Sequence, residues 1–231
     1  MTTIFNADQD LLLRQAASRL CGALRDVLGV RERAVIAVPG GRSVARVFEC
    51  MRREELDWRR VHFFMVDERL VPAGHPDSNF RLLHEYLLEP LRREGRLGAG
   101  NAHPFPLDEQ RPDRGAGAYE TTLARHGSRF DVVLLSAGED GHVASLFPNH
   151  PCVRDERHGF LVMDDAPKPP PGRVTASASL VRTAGVGVLL FLGRGKGRAY
   201  EMFLDPAVGA VSCPAKLVLE THSPFVFTDL T

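Results

Sequence analysis

The chain has 231 residues, of which 44% are hydrophobic and 25% are charged, so it has enough apolar material for a sizeable core. Its 29 basic residues match its 29 acidic residues, so no overall charge attracts nucleic acid or an anionic membrane, and an anion must be bound by a local cluster. We find no signal peptide and no apolar run of the ~18 residues that span a bilayer. We therefore predict one domain, residues 1–231, without a nucleic-acid or membrane partner.

The cysteines are scattered and form no CxxC pair: Cys21, Cys50, Cys152 and Cys213. This pattern is typical of reduced thiols and favours neither a disulfide framework nor a cysteine zinc site. We expect a cytoplasmic protein.

A helix is predicted near the start of the chain. Asp8 or Asp10 can cap it, and Gly29 can end it. Between these residues apolar side chains recur at helical spacing, at Leu12, Leu13, Ala16, Leu20, Leu24 and Leu28. This helix is expected to cover one face of a sheet.

A strand, a glycine turn and a second helix follow. Residues 33–38 form a short apolar run, and Gly40, Gly41, Arg42 and Ser43 lead from it into an apolar helix. Glycine lets the backbone approach a ligand closely, and a helix start presents unpaired N–H groups at the positive end of the helix dipole. These four residues are therefore predicted to bind a phosphate.

Charged residues also stand beyond the next strand. Residues 61–66 are mostly apolar and are followed at once by Asp67, Glu68 and Arg69. Asp77 or Ser78 can begin the next helix. The Gly-, Pro- and Arg-rich residues 95–117 are predicted to form a long loop, with a helix starting near Asp113.

The central stretch is FDVVLLSAGEDGHVASLFP, residues 130–148. Its apolar run breaks at Gly138 into a turn that carries Asp140 and His142, which predicts a buried strand ending in a polar turn. Open α/β sheets bind ligands just beyond the carboxyl ends of such strands. His142 is therefore the first candidate for catalysis.

The remaining segments continue the alternation of strands and helices. Residues 166–173 are Pro-rich and are predicted to form an ordered loop ending at Arg173, because periodic apolar structure continues on both sides. The strand 186–192 is followed by Gly193 to Lys196 and a helix beginning near Gly197. Further strands are predicted at residues 160–163, 216–219 and 225–227, and the last two close the sheet.

This order predicts a three-layer α/β/α fold with a mostly parallel, Rossmann-like sheet. Because parallel strands place their carboxyl ends at one edge, the strand exits should converge. They bring together two glycines, several cations, some carboxylates and a histidine: Gly40, Gly41, Arg42, Ser43, Asp67, Glu68, Arg69, Asp140, His142, Arg194 and Lys196, with Arg173 nearby. Such a set suits a small phosphorylated substrate, with acid or base chemistry at the end opposite the phosphate.

These motifs resemble those of the 6-phosphogluconolactonases, which are related to the glucosamine-6-phosphate deaminases. The resemblance covers nearly the whole chain and rests on the following segments: Gly40 to Ser43, Asp67-Glu68-Arg69 with Val71-Pro72 and Ser78-Asn79, Gly138 to His142 with Ala144 to Pro148, Lys168 to Pro171 with Arg173 and Thr175, and Gly193 with Lys196. This chain differs from the family's usual pattern at Pro39, where Ser is common, and at Ser43-Val44, where Thr-Pro is common.

The resemblance implies hydrolysis of the δ-lactone of 6-phosphogluconate in the oxidative pentose phosphate pathway, without metal or coenzyme. It implies that His142 activates water, with Asp67 and Asp140 as further catalytic candidates. It also implies that the phosphate lies on the Gly40 to Ser43 turn, with Arg69, Arg173 and Lys196 as cationic partners. The partner is then a small phosphorylated sugar lactone, and the protein a monomer or homodimer.

Two alternatives stay open. A related amino-sugar phosphate deaminase would carry a Glu shortly after the motif histidine, and residues 143–149 contain no carboxylate. A catalytically silent phosphosugar-binding protein would use the same pocket without turnover. A serine esterase centred on Ser136 is disfavoured because Leu134 stands where a nucleophile elbow needs glycine.

Overall fold

The fold is built on ten strands, seven α-helices, short 3₁₀ segments and one π-helical segment (His84–Leu88), and the computed structural model describes all residues, 1–231. The strands are β1 (Thr2–Phe5), β2 (Ala34–Val38), β3 (Val61–Met65), β4 (Asp67–Arg69), β5 (Ala102–His103), β6 (Val132–Ser136), β7 (Phe160–Met163), β8 (Arg173–Ala176), β9 (Val186–Phe191) and β10 (Ser223–Thr228). The helices are α1 (Gln9–Val30), α2 (Arg42–Arg52), α3 (Asn79–Leu83), α4 (Glu89–Arg93), α5 (Ala116–Ala124), α6 (Ala178–Arg182) and α7 (Gly197–Leu204).

Seven strands form the main sheet in the order β1-β10-β9-β6-β2-β3-β5. Every neighbouring pair is parallel, so all carboxyl ends lie at one edge. This confirms the predicted parallel sheet. β6 is central and fully apolar up to Ser136, because both of its faces are covered.

Helices cover both faces of this sheet. Side chains alternate along each strand, so Ile36 packs under α1 and α2, whereas Ala37 packs with α5, α6 and α7 on the opposite face. Each face carries its own apolar core, with Phe63 in one and Phe64 in the other. The predicted three-layer α/β/α architecture is confirmed.

The helix starts follow the predicted caps. Asp8 caps α1 by accepting from the backbone N–H groups of Asp10 and Leu11, at 2.9 and 3.2 Å. Ser78 caps α3. The predicted end of α1 at Gly29 was one residue early, because the helix ends only where Arg31 turns extended and donates its N–H to Val27.

A second, three-stranded sheet in the order β4-β8-β7 was not predicted. Both of its strand pairs are antiparallel, and they set Arg69 opposite Arg173 and Asp67 opposite Thr175. Val66 links the two sheets, since its N–H donates to Val38 and its carbonyl accepts from Ala176. The charged segment after β3 is therefore itself a strand, and it forms a wall beside the carboxyl edge of the main sheet.

Four further segments differ from prediction. Residues 216–219 do not form a strand; they belong to a 3₁₀ helix, Pro214–Glu220, because Pro214 starts a turn and the buried residues there follow a helical spacing. The edge strands β1 and β5 were missed, because each is short and weakly patterned. The predicted helix near Asp113 begins at Ala116.

None of the helices has the length and apolar character needed to cross a membrane.

Candidate active site

A cavity of about 300 Å³ opens at the carboxyl edge of β2, β3 and β6, next to the small sheet. Six of the predicted site residues line it: Gly40, Gly41, Asp67, Arg69, His142 and Arg173. Asp140 stands behind His142, whereas Arg42, Ser43 and Lys196 lie outside the cavity wall. The parallel sheet and the small antiparallel sheet together bring these distant segments to one place.

His142 is fixed by the carboxylate two residues before it. Its Nδ1 lies 2.5 Å from Oδ1 of Asp140, and its ring packs against Phe147 with the ring centres 4.9 Å apart. An ionised carboxylate only accepts hydrogen bonds, so Nδ1 carries the proton. The lone pair is then on Nε2, which has no protein partner, on a ring that lines the cavity.

Lys168 completes this cluster. Its Nζ lies 3.2 Å from Oδ2 of Asp140 and 3.4 Å from Nδ1 of His142. Burial raises the pKa of Asp140, but the hydrogen bonds from His142 and the charge of Lys168 outweigh burial and hold that pKa below the usual range. Asp140 is therefore ionised at neutral pH, as the Nδ1–H tautomer of His142 requires.

The turn that carries His142 depends on two glycines. Gly141 has a φ of +85°, a conformation that side chains with a Cβ adopt rarely. The Gly138 N–H donates to the His142 carbonyl at 2.8 Å and so closes the turn. A Cβ on Gly138 would lie 2.1 Å from Cε1 of His142, so the ring occupies the space that any other residue at 138 would fill.

Asp67 is a buried carboxylate in the cavity wall, with 5% of its surface exposed. Its Oδ2 accepts from the Ser145 hydroxyl at 2.8 Å, and its carbonyl accepts from the Asn79 side-chain amide at 3.0 Å. Asn79 also fills the space above Gly40, where a Cβ would lie 1.9 Å from its Oδ1. Asn79 lines the cavity and, with Ser145, was absent from the predicted site.

Glu68 serves the fold rather than the cavity. Its carboxylate accepts from the backbone N–H groups of Arg69, Asn79 and Phe80 at 2.7 Å each, and from the Ser78 hydroxyl at 2.9 Å. Burial raises its pKa, while these hydrogen bonds lower it. Glu68 thus ties the start of α3 to β4.

The two arginines of the small sheet differ in their free donors. Arg69 donates through Nη1 to the Asp77 carbonyl at 2.7 Å, and its buried Nε has no partner. Arg173 is 4% exposed and donates to three carbonyls of the proline loop, those of Lys168, Pro169 and Pro170, at 3.3, 3.0 and 2.8 Å. Burial lowers the pKa of Arg173, and the charge of Arg69 lowers it further. Arg173 therefore fixes the loop that carries Lys168.

The glycine turn opens onto the start of α2. Gly41 occupies the cap position with a φ of +119°, and no side chain caps the helix there. The backbone N–H groups of the first turn, at Arg42, Ser43 and Val44, have no acceptor in the protein. The exposed Arg42 lines a neighbouring cavity, which shares Arg69 with the first one.

Lys196 follows β9 at the predicted place but does not reach the cavity wall. Burial lowers its pKa, and the nearby carboxylates of Asp229 and Glu139 oppose that shift. It lies close enough to Lys168 for the two positive charges to repel each other. Lys196 therefore adds positive potential behind the His142 end of the cavity.

The fold is that of an α/β enzyme, and the cavity at the carboxyl edge of its sheet carries basic side chains that suit a small anionic molecule. The family model described as "Glucosamine-6-phosphate isomerases/6-phosphogluconolactonase" matches residues 7–227, and the chain belongs to this family. A 6-phosphogluconolactonase of Streptomyces coelicolor is 33% identical over 228 residues, which cover 92% of this chain and 85% of that protein.

Solved structures agree with the sequence comparison. A crystal structure of 6-phosphogluconolactonase from Thermotoga maritima superposes with a TM-score of 0.81 at 25% identity, covering 99% of this chain and 98% of that one. A monomeric glucosamine-6-phosphate deaminase superposes with a TM-score of 0.82, covering 99% of this chain and 97% of that one, but at only 15% identity. The latter likeness is one of fold.

Proposed function

We propose that this enzyme hydrolyses 6-phospho-D-glucono-1,5-lactone to 6-phosphogluconate, the lactonase step of the oxidative pentose phosphate pathway, with His142 as the general base. The observation that carries the proposal is the Asp140–His142 pair, which places an unpartnered Nε2 on a cavity lined by Arg69, Arg173 and Lys168. Relatives named 6-phosphogluconolactonase, at 30 to 33% identity over most of the chain, support the substrate.

The reaction follows from this arrangement. Nε2 of His142 takes a proton from water as the water oxygen attacks C1 of the lactone, and Asp140 stabilises the imidazolium that forms. The negative charge that develops on the carbonyl oxygen needs nearby donors, and Lys168 is the closest ammonium group to the ring. The C1–O5 bond then breaks, and the imidazolium returns its proton to O5. Water is consumed, and no coenzyme enters the balance.

The phosphate of the substrate is assigned to the opposite end of the cavity. There the open first turn of α2, with Gly40 and Gly41, presents unpaired N–H groups, and the buried Nε of Arg69 lacks an acceptor. Arg42 and Ser43 belong to the same helix start. Arg173 contributes positive charge rather than free donors, since its guanidinium is largely engaged with the proline loop. Lys196 adds positive potential from behind the His142 end of the cavity.

Asp67 is assigned a positioning role. Its carboxylate lines the cavity but is held by Ser145, and it has no contact with His142. In a deaminase a carboxylate in this place would act as a base, together with a Glu shortly after the motif histidine. Here residues 143–149 supply no carboxylate, and the acidic partner of His142 is Asp140, two residues before it.

The expected result is enzymatic opening of 6-phosphogluconolactone well above the spontaneous rate, measured as acid release against an enzyme-free blank. No ammonia should be released from glucosamine 6-phosphate under the same conditions. Release of ammonia would instead identify a deaminase. Tight binding of 6-phosphogluconate with lactone opening no faster than the blank would identify a phosphosugar-binding protein.

Arg69→Ala should raise KM for 6-phosphogluconolactone by about tenfold or more with little change in kcat, because it removes a charged donor from the phosphate. The same variant should leave the KM for glucono-1,5-lactone, which has no phosphate, unchanged. Arg194→Ala is the matched control, because Arg194 is exposed beyond another strand and does not line the cavity. A pure kcat effect, or equal effects on both lactones, would contradict the phosphate assignment.

We further propose that residues 1–231 act as one catalytic domain in the cytoplasm, as a monomer or homodimer. The two apolar cores flank a single sheet, which supports one cooperative unit. All four cysteines are free thiols, which is in keeping with a reducing compartment.

A further inference from the structure

Three histidines meet at the β5 edge of the main sheet, away from the active-site cavity. His62 and His103 lie on one face of the paired strands β3 and β5, and His126 follows α5, which packs over that face. Nδ1 of His62 and Nε2 of His103 are 3.1 Å apart, and the three residues offer ring nitrogens that all lie within 4.8 Å of one another. None of the three lines the active-site cavity.

The ring nitrogens are poorly satisfied by the protein. The His62–His103 contact is the one hydrogen bond that these imidazoles make, and Nδ1 of His126 is buried without a partner. Buried polar atoms in folded proteins normally have a partner, so three adjacent imidazoles with so few hydrogen bonds point to a ligand that accepts lone pairs.

All three imidazoles are held in the neutral form. Burial lowers the pKa of His62 and of His103 to about 4, and the neighbouring imidazoles add to the effect. Burial also lowers the pKa of His126, with the charges of Arg33 and Arg125 acting in the same direction. A neutral imidazole is the form that binds a metal ion.

The spacing fits a tetrahedral ion. Zinc binds histidine nitrogens at about 2.0–2.1 Å, so two nitrogens on one zinc ion lie about 3.3 Å apart. The His62–His103 pair already has nearly this separation. His126 lies in the turn after α5, next to Gly127. A rotation of its side chain can bring a ring nitrogen to the bonding distance from the ion.

We propose that His62, His103 and His126 form a binding site for a divalent zinc ion, separate from the catalytic cavity. Imidazole nitrogens suit zinc among the common divalent ions, and three protein ligands leave a fourth position for water. The ion joins the two-residue strand β5 and the end of α5 to β3. The positive charge of Arg33 opposes a cation at this site, and no carboxylate neutralises the cation. The site therefore binds zinc more weakly than a closed cysteine site does. The ion stabilises the fold and takes no part in the reaction.

Zinc titration of the chelator-treated enzyme tests this site. We expect one zinc ion per chain to be bound in competition with a chromophoric chelator, and Tm to rise with zinc concentration. His103→Gln should weaken zinc binding at least about tenfold and abolish the Tm shift, since even an outer-shell partner of a metal ligand is worth that much. His126→Gln should do the same, and because it changes a turn residue it keeps the fold if His103→Gln does not.

Two control variants locate the ion. His222→Gln changes an exposed histidine and should keep the zinc-dependent rise in Tm, and His142→Gln should keep it too if the ion is not in the active site. A rise in Tm that survives His103→Gln and His126→Gln, or that is lost with His142→Gln, overturns the proposal. The absence of any zinc-dependent shift in the wild-type enzyme overturns it as well.

Discussion

His142→Ala is expected to lower kcat for 6-phosphogluconolactone by at least ~100-fold, which is the usual contribution of a general base. The variant loses the one nitrogen that has a lone pair on the cavity, while Asp140 and Lys168 keep their 3.2 Å ion pair. KM should change much less, because the phosphate end of the cavity is untouched. The measurement is initial-rate kinetics with subtraction of the spontaneous rate.

Asp140→Asn serves as the companion variant. The amide that this substitution introduces can donate an N–H to Nδ1 of His142, and this favours the tautomer that has its proton on Nε2. In that tautomer Nε2 has no lone pair with which to take a proton from water. We therefore expect a kcat loss in Asp140→Asn as well, with Tm close to that of the wild type. A wild-type kcat in His142→Ala, measured above the blank, would remove this residue from the mechanism.

Gly138→Ala is expected to reduce kcat by about 100-fold, although residue 138 itself need not touch the substrate. Its φ is not in the left-handed region, so alanine fits the backbone. The new methyl group would lie 2.1 Å from both Cε1 and Nδ1 of His142 and 2.7 Å from Oδ1 of Asp140. The ring must leave its hydrogen bond to Asp140, and a displacement of this size misaligns the base.

Gly209→Ala is the matched control, because an added Cβ there meets no atom within 4 Å. The far-ultraviolet circular dichroism of both variants should match the wild type, since the His142 ring has the cavity to move into. If Gly138→Ala kept full activity, the position of the ring against Asp140 would not matter for catalysis. If it failed to fold, the expected movement of the ring into the cavity would be wrong.

The parallel sheet and the place of the site could be predicted because their signals are local. An apolar run that is followed directly by Asp67, or after a short polar turn by His142, indicates a buried strand and its end within a few residues. The antiparallel pairing of β4 with β8 could not be predicted, because Asp67 pairs with Thr175, 108 positions later in the chain. Only the folded chain reveals such a pairing.

The residues missed at the site share this cause. Lys168 was quoted in the Pro-rich segment and the family motif but was not assigned to the site, and it reaches Asp140 because Arg173 holds that loop in place. Ser145 lies in an apolar stretch, so the sequence indicates a core residue, and only the structure shows its contact with Asp67. His62 and His103 are 41 positions apart, so no motif connects them. For these residues, sequence spacing carries no information about distance in space.

The tie between Arg173 and the proline loop has a consequence for how substrate is captured. Because three carbonyls of this loop are anchored to one buried guanidinium, the backbone that carries Lys168 is held near the His142 ring before any ligand arrives. Little conformational entropy is then lost in ordering the pocket when the substrate binds, so more of the interaction free energy appears as affinity. Such a preorganised entrance favours capture at a rate set by diffusion rather than by closure of a lid.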